Sequence, residues 1–192
     1  MPSPTPSLNV FDALLPSADA APIADASKFA ADMANADHPA APESEAASYW
    51  LAVFYATYSA YYSAQVGHWH IVDPKFNDIH AFFQVEYEEL AKTIDAVAEH
   101  VRTHKALMPC CIRDLAMGDT LVVEKTSNAK QLLSSYLDKI EMLERLINSV
   151  GVEVHGLGMA DDDLRGELAR QFAKSRWKLH SMLESRVEAS HK

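Results

Sequence analysis

Eight apolar residues between Phe76 and Val101 constrain this 192-residue chain more than any other feature. Phe76, Ile79, Phe83, Tyr87, Leu90, Ile94, Val97 and Val101 recur at steps of three and four, the spacing of one face of an α-helix. A long helix with a single apolar stripe cannot bury that stripe by itself and needs packed partners. The spacing predicts a helix from about Pro74 to His104, with Pro74 in the first turn, where a missing N–H costs nothing.

The flanking segments are helical too. Ser44 is an N-cap for EAASYWLAVFYATYSAYYSAQVGHW, in which Phe54, Tyr58, Tyr61, Gln65 and His68 share a face. Gly67 and Pro74 bracket the end of this first helix, with Val72-Asp73-Pro74 as the break. A third helix, capped by Thr126 or Ser127, runs to about Ser149 and carries Leu132, Leu133, Tyr136, Ile140, Leu143 and Ile147 inside. A fourth begins near DDDLRGEL and continues to about Val187, with Leu164, Leu168, Phe172, Trp177, Leu179 and Leu183 on its buried side. MPCCIRDLAMG reads as a short helix in the middle connection, and TLVV is the one short strand candidate. The predicted class is all-α: a four-helix bundle with a short extra helix in its middle connection.

Residues 1–43 form a separate region, an acidic, Ala/Pro/Ser-rich arm; residues 44–192 form the bundle domain. Up to Ser48 one lysine stands against seven acids. Such composition reads as an extended or partly disordered arm, with LNVFDALL and KFAADMA as two apolar docking patches. The formal net charge of the chain is -10, which argues against non-specific binding to nucleic acid and anionic membranes. No apolar run is long enough to span a bilayer, and the N-terminus does not read as a secretory signal. The two cysteines, Cys110 and Cys111, are adjacent, so the chain reads as reduced, intracellular and cytoplasmic, with the thiols packed rather than bridged.

A polar pattern runs beside the apolar stripe. His80, Gln84, Glu88, Asp95 and Glu99 fall within an arc of about 100° on the second helix, and His68 ends the helix before it. Imidazoles and carboxylates on one face suit iron or zinc. His80 and Asp95 are, however, roughly 22 Å apart along the axis, whereas metal–ligand bonds are about 2 Å. One chain cannot close the set. Two antiparallel copies about a two-fold axis can, and they build the site twice.

His68-Trp69-His70-Ile71, Phe76, Ile79-His80 and Asp95-Ala96-Val97-Ala98-Glu99 together resemble the signature of the Dps mini-ferritins, in the ferritin-like superfamily. The motif spans residues 68–99, and the helix layout is similar over about 44–190. The resemblance implies a ferritin-like bundle, a homo-oligomeric shell of twelve subunits, oxidation of Fe(II) preferably by hydrogen peroxide, storage of ferric iron and protection against oxidative stress. It implies that His68 and His80 bind metal from one subunit and Asp95 and Glu99 from its partner. It also implies that Trp69 lies beside them, where an oxidisable ring would quench radicals.

Gln84 departs from this pattern, which commonly has an aspartate there. A neutral carbonyl replaces an anion, and the site loses one negative charge. Glu88, one turn further on, and His70 are additional donors, or the centre takes zinc instead of iron. The alternative function is a shell-forming, metal-binding scaffold with a weakened centre. Asp161, Asp162, Asp163 and Glu167 open the last helix, which lines three-fold pores in a similar shell; helix N-capping also accounts for them. The acidic arm and the short C-terminal SHK predict little or no direct DNA binding. Larger ferritins use E-x-x-H pairs inside each bundle, and the one match here is Glu188-Ala-Ser-His191.

Overall fold

A computed structural model describes residues 44–109, 115, 123, 125–149 and 154–189. The expected arm, Cys110-Cys111 and most of MPCCIRDLAMG and TLVV lie outside these residues, as does His191; Leu115 of the expected short helix is helical and half-buried. Four helices follow one another: α1 (Glu45–His70), α2 (Phe76–Thr103), α3 (Ala129–Ser149) and α4 (Met159–Ala189). Among the described residues no β-strand is present. Val72 and Asn128 form an isolated parallel bridge, with Val72 N–H donating to the Ser127 carbonyl at 3.0 Å. That bond ties the corner between α1 and α2 to the approach of α3. No helix among the described residues is long and apolar enough to cross a membrane.

Ser44 caps α1 as its sequence position requires, its hydroxyl accepting from Ala47 N–H at 3.1 Å. α1 buries residues on most of its sides, from Ala47 and Trp50 to Ala60 and Ala64. Its many alanines and serines admit close neighbours. Gly67, expected to mark the end of α1, lies inside it. A Cβ there would come within 2.6–2.8 Å of the Phe83 ring, so the glycine lets α2 approach α1 closely.

The apolar stripe of α2 is the core for most of its length: Ile79, Phe83, Leu90, Val97 and Val101 are buried, each large side chain contributing roughly 1.5–3 kcal/mol. Tyr87 and Ile94 are half-buried, and Phe76 is exposed. Pro74 sits in the turn before α2 rather than in its first turn. α3 is capped by Asn128, not by Thr126 or Ser127. The Asn128 side-chain oxygen accepts from Gln131 N–H at 3.1 Å, while Thr126 supports it by accepting from Asn128 N–H at 3.1 Å. In α4, Leu168, Phe172 and Leu179 are buried and Leu164 and Leu183 partly so. Trp177 is 67% exposed: five residues beyond Phe172, it falls off the buried face.

Candidate metal centre

The tight corner between α1 and α2 sets His68 opposite His80. Their rings stack with centroids 3.6 Å apart and planes at 20°. His68 Nδ1 lies 3.0 Å from the His80 carbonyl oxygen, and His80 Nδ1 lies 2.8 Å from the His68 carbonyl oxygen. A carbonyl can only accept, so each Nδ1 carries the hydrogen and donates. The lone pair of each neutral ring then resides on Nε2. A ligating histidine is set this way, with one nitrogen anchored and the other directed at the cation. Phe76 also stacks on His80, at 4.7 Å and 23°, and Tyr87 meets His68 edge-on at 5.3 Å. The exposed Phe76 of the stripe thus packs on an imidazole instead of the core.

The other expected ligands lie apart from this pair. Gln84 Nε2 donates to Glu88 Oε1 at 2.9 Å, so these two residues engage each other on the exposed side of α2. Asp95 and Glu99 are exposed further along α2, and the helical rise keeps Asp95 roughly 22 Å from His80. Trp69 is 60% exposed. His70 is exposed at the last position of α1, and the stacked pair is assembled without it. The chain therefore joins His68 to His80 and Gln84 to Glu88, and brings neither Asp95 nor Glu99 to the imidazoles.

The bundle interior is committed elsewhere. Glu86 is buried, accepting from Tyr136 Oη at 3.0 Å and from Lys178 Nζ at 2.8 Å. Burial holds the Tyr136 phenol well above its ordinary range, and the charge of Glu86 and its hydrogen bond add to the effect. Thr93 and Gln171 bond to each other nearby. The interior around Glu86 is thus filled by a tyrosine, a lysine and this hydroxyl–amide pair.

A second imidazole cluster lies at the far end of α2, and the sequence reading missed it. Asp161 was expected, with Asp162, Asp163 and Glu167, to line a pore or to cap the start of the last helix. Those three are exposed, but the Asp161 side chain turns inward and is buried. Its Oδ1 lies 2.8 Å from His100 Nε2 and 2.7 Å from His104 Nε2, and it accepts from Trp50 Nε1–H at 2.5 Å. Oδ2 accepts from Gly158 N–H at 2.7 Å, which closes the first turn of α4 as an N3 acid does in a capping box. Burial alone would raise the Asp161 carboxyl. The bonds from Gly158, His100, His104 and Trp50 outweigh it and hold the group well below the usual carboxylate range. The signal available in the sequence was the i, i+4 spacing of His100 and His104, which puts both on one helix face.

The family profile described as a ferritin-like domain matches residues 53–151. An uncharacterised low temperature-induced protein of Nostoc is 30% identical over 126 residues, covering 61% of this chain and 68% of that protein; a homologue in Anabaena variabilis matches equally. The structure of Dps from Thermosynechococcus elongatus superposes with a TM-score of 0.61 at 19% identity, over 68% of this chain and 85% of that one. Dps of Vibrio cholerae gives 0.60 at 18%, over 82% and 90%. A dodecameric thioferritin of Bacteroides fragilis gives 0.65 at 11%, over 87% and 90%.

Proposed function

This chain belongs to the ferritin-like family, and on that premise we propose that it oxidises Fe(II) and stores the ferric product inside a homo-oligomeric shell of the twelve-subunit, Dps-like kind. The observation that carries the reading is the reciprocal bonding of His68 and His80. It engages Nδ1 of each ring and leaves Nε2 of each as the nitrogen that can bind a cation, and among the described residues no acid joins the pair in a three-ligand group. A second copy, antiparallel across a two-fold axis, supplies Asp95 and Glu99. Their exposure on α2 is what a residue waiting for a neighbouring chain requires.

Fe(II) is the substrate here. The imidazoles bind and orient it, and the partner's carboxylates offset its growing positive charge on oxidation. With hydrogen peroxide as oxidant, two Fe(II) each give one electron. The O–O bond breaks, and two protons complete two waters. Trp69, adjacent in sequence to His68, offers an oxidisable ring for stray one-electron oxidants. The amide of Gln84, already donating to Glu88, leaves the centre one charge poorer and lowers its affinity for hard cations. The acidic balance of the chain supports little or no direct DNA binding.

Fe(II) oxidation by peroxide on the purified assembly tests this directly. Rapid oxidation that is lost in Glu99→Ala supports the centre. Wild-type oxidation no faster than in Glu99→Ala, with the shell intact, favours a scaffold or a zinc-holding role instead.

A further inference from the structure

We propose that His100, His104 and Asp161 form a second binding site for a divalent transition-metal ion, complete within one chain. The three residues are the one His/Cys/Asp/Glu group among the described residues whose ligand atoms all lie within 4.8 Å of one another. Two imidazole nitrogens and one carboxylate oxygen are the donor set of zinc-type ions, with a fourth position left for water. The rings are 13% and 15% exposed, while Asp161 is 4% exposed.

The arrangement around Asp161 Oδ1 points to a cation. Three N–H groups, from His100, His104 and Trp50, converge on this one oxygen, which has two lone pairs. A single compact cation relieves that crowding. It takes the place of the two imidazole hydrogens, each ring shifting its hydrogen from Nε2 to Nδ1. Trp50 and Gly158 then remain as the outer donors that orient the carboxylate, as outer partners do in established metal sites. Ligand atoms on a tetrahedral ion with bonds of about 2.0–2.1 Å lie roughly 3.3 Å apart. The observed 2.7 and 2.8 Å contacts reach that by small side-chain rotations. Asp162 and Asp163, exposed on the same helix turn, add a negative field that raises the local cation concentration. The site would clamp α1, α2 and α4 together at one end of the bundle. It does not depend on whether the His68–His80 centre turns over iron.

The test uses the full chain as assembled, with His68→Ala and His80→Ala introduced together to silence the first pair. Zn²⁺ is titrated calorimetrically, and Co²⁺ is followed by its visible ligand-field bands. One saturable ion per chain is expected, with affinity lowered at least roughly tenfold by adding His104→Gln or His100→Gln. In that silenced chain, Zn²⁺ should raise the melting temperature, and either substitution should remove that rise. Absence of saturable binding in the silenced chain overturns the proposal and leaves a hydrogen-bonded clasp only. Binding that survives both glutamine substitutions overturns it equally. Two variants are used so that a folding failure in one leaves the other to decide.

Discussion

The two ends of α2 carry the same kinds of residue with opposite commitments. At its start, His80 and, from the end of α1, His68 spend their Nδ1 hydrogens on each other's backbone carbonyls. At its end, His100 and His104 turn Nε2 onto a carboxylate of their own chain. Among the described residues an acid, Asp161, joins the second pair, and none joins the first in such a group. What an imidazole can do is therefore decided less by its presence than by which nitrogen the fold has engaged. On the proposed reading an incomplete set takes its acids from a second copy, and a complete one makes a self-contained site or clasp.

The comparison breaks most visibly at the incomplete end. Glu99→Ala, remote from His80 in its own chain, should lower peroxide-driven Fe(II) oxidation by roughly 100-fold, the scale on which metal-site partners act. Stopped-flow iron oxidation measures it, and wild-type rates in Glu99→Ala would remove the acids from the centre. Next in size is Gly67→Ala. Its Cβ meets the Phe83 ring at 2.6–2.8 Å, and overpacking of this kind costs about 1–3 kcal/mol. Thermal melting should fall accordingly. Gly166→Ala offers the control, because its nearest atom is the end of the flexible Arg170 side chain at 3.4 Å. Equal melting of the two variants would contradict the close α1–α2 approach that joins the histidines.

Smaller effects sharpen the picture. Gln84→Asp restores a negative charge beside His80 and should speed iron oxidation roughly 3–10-fold. A slower variant would mean that the Gln84–Glu88 bond supports the centre. Tyr136→Phe should cost about 1 kcal/mol, because Glu86 keeps Lys178 as a partner. The pH dependence follows from the raised Tyr136 phenol. Its folded value lies above the unfolded value of 10.0, so its contribution is whole below that pH and is lost as pH rises further. Tyr136→Phe should therefore flatten the alkaline fall in stability, read from denaturation midpoints between about pH 9 and 12.

The sequence made the helices legible because periodicity is a local property. The stripe from Ile79 to Val101 and the Ser44 cap follow from spacing and side-chain chemistry alone. Trp177 was misplaced because hydrophobicity was weighed above phase, and Asn128 was passed over for its hydroxyl-bearing neighbours. The His68–His80 pair was expected from its motif, but the nitrogens it engages depend on backbone carbonyls that no residue name reveals. Asp161 was read as one of an acidic run. Its inward turn depends on His100, His104 and Trp50, which lie more than fifty residues away in sequence. Such pairings are set by how α1, α2 and α4 meet, not by any local pattern.

The central claim is that the iron centre is shared between two copies, and complementation tests it most directly. One chain carries His68→Ala and His80→Ala; the other carries Asp95→Ala and Glu99→Ala. Each assembled alone should be inactive. Unfolded together in equal amounts and refolded, half of the two-fold contacts join unlike chains, and each of those holds one intact centre. Oxidation at about a quarter of the wild-type rate is then expected. A mixed assembly as inactive as its parents, shown by mass to contain both chains, would contradict a shared centre.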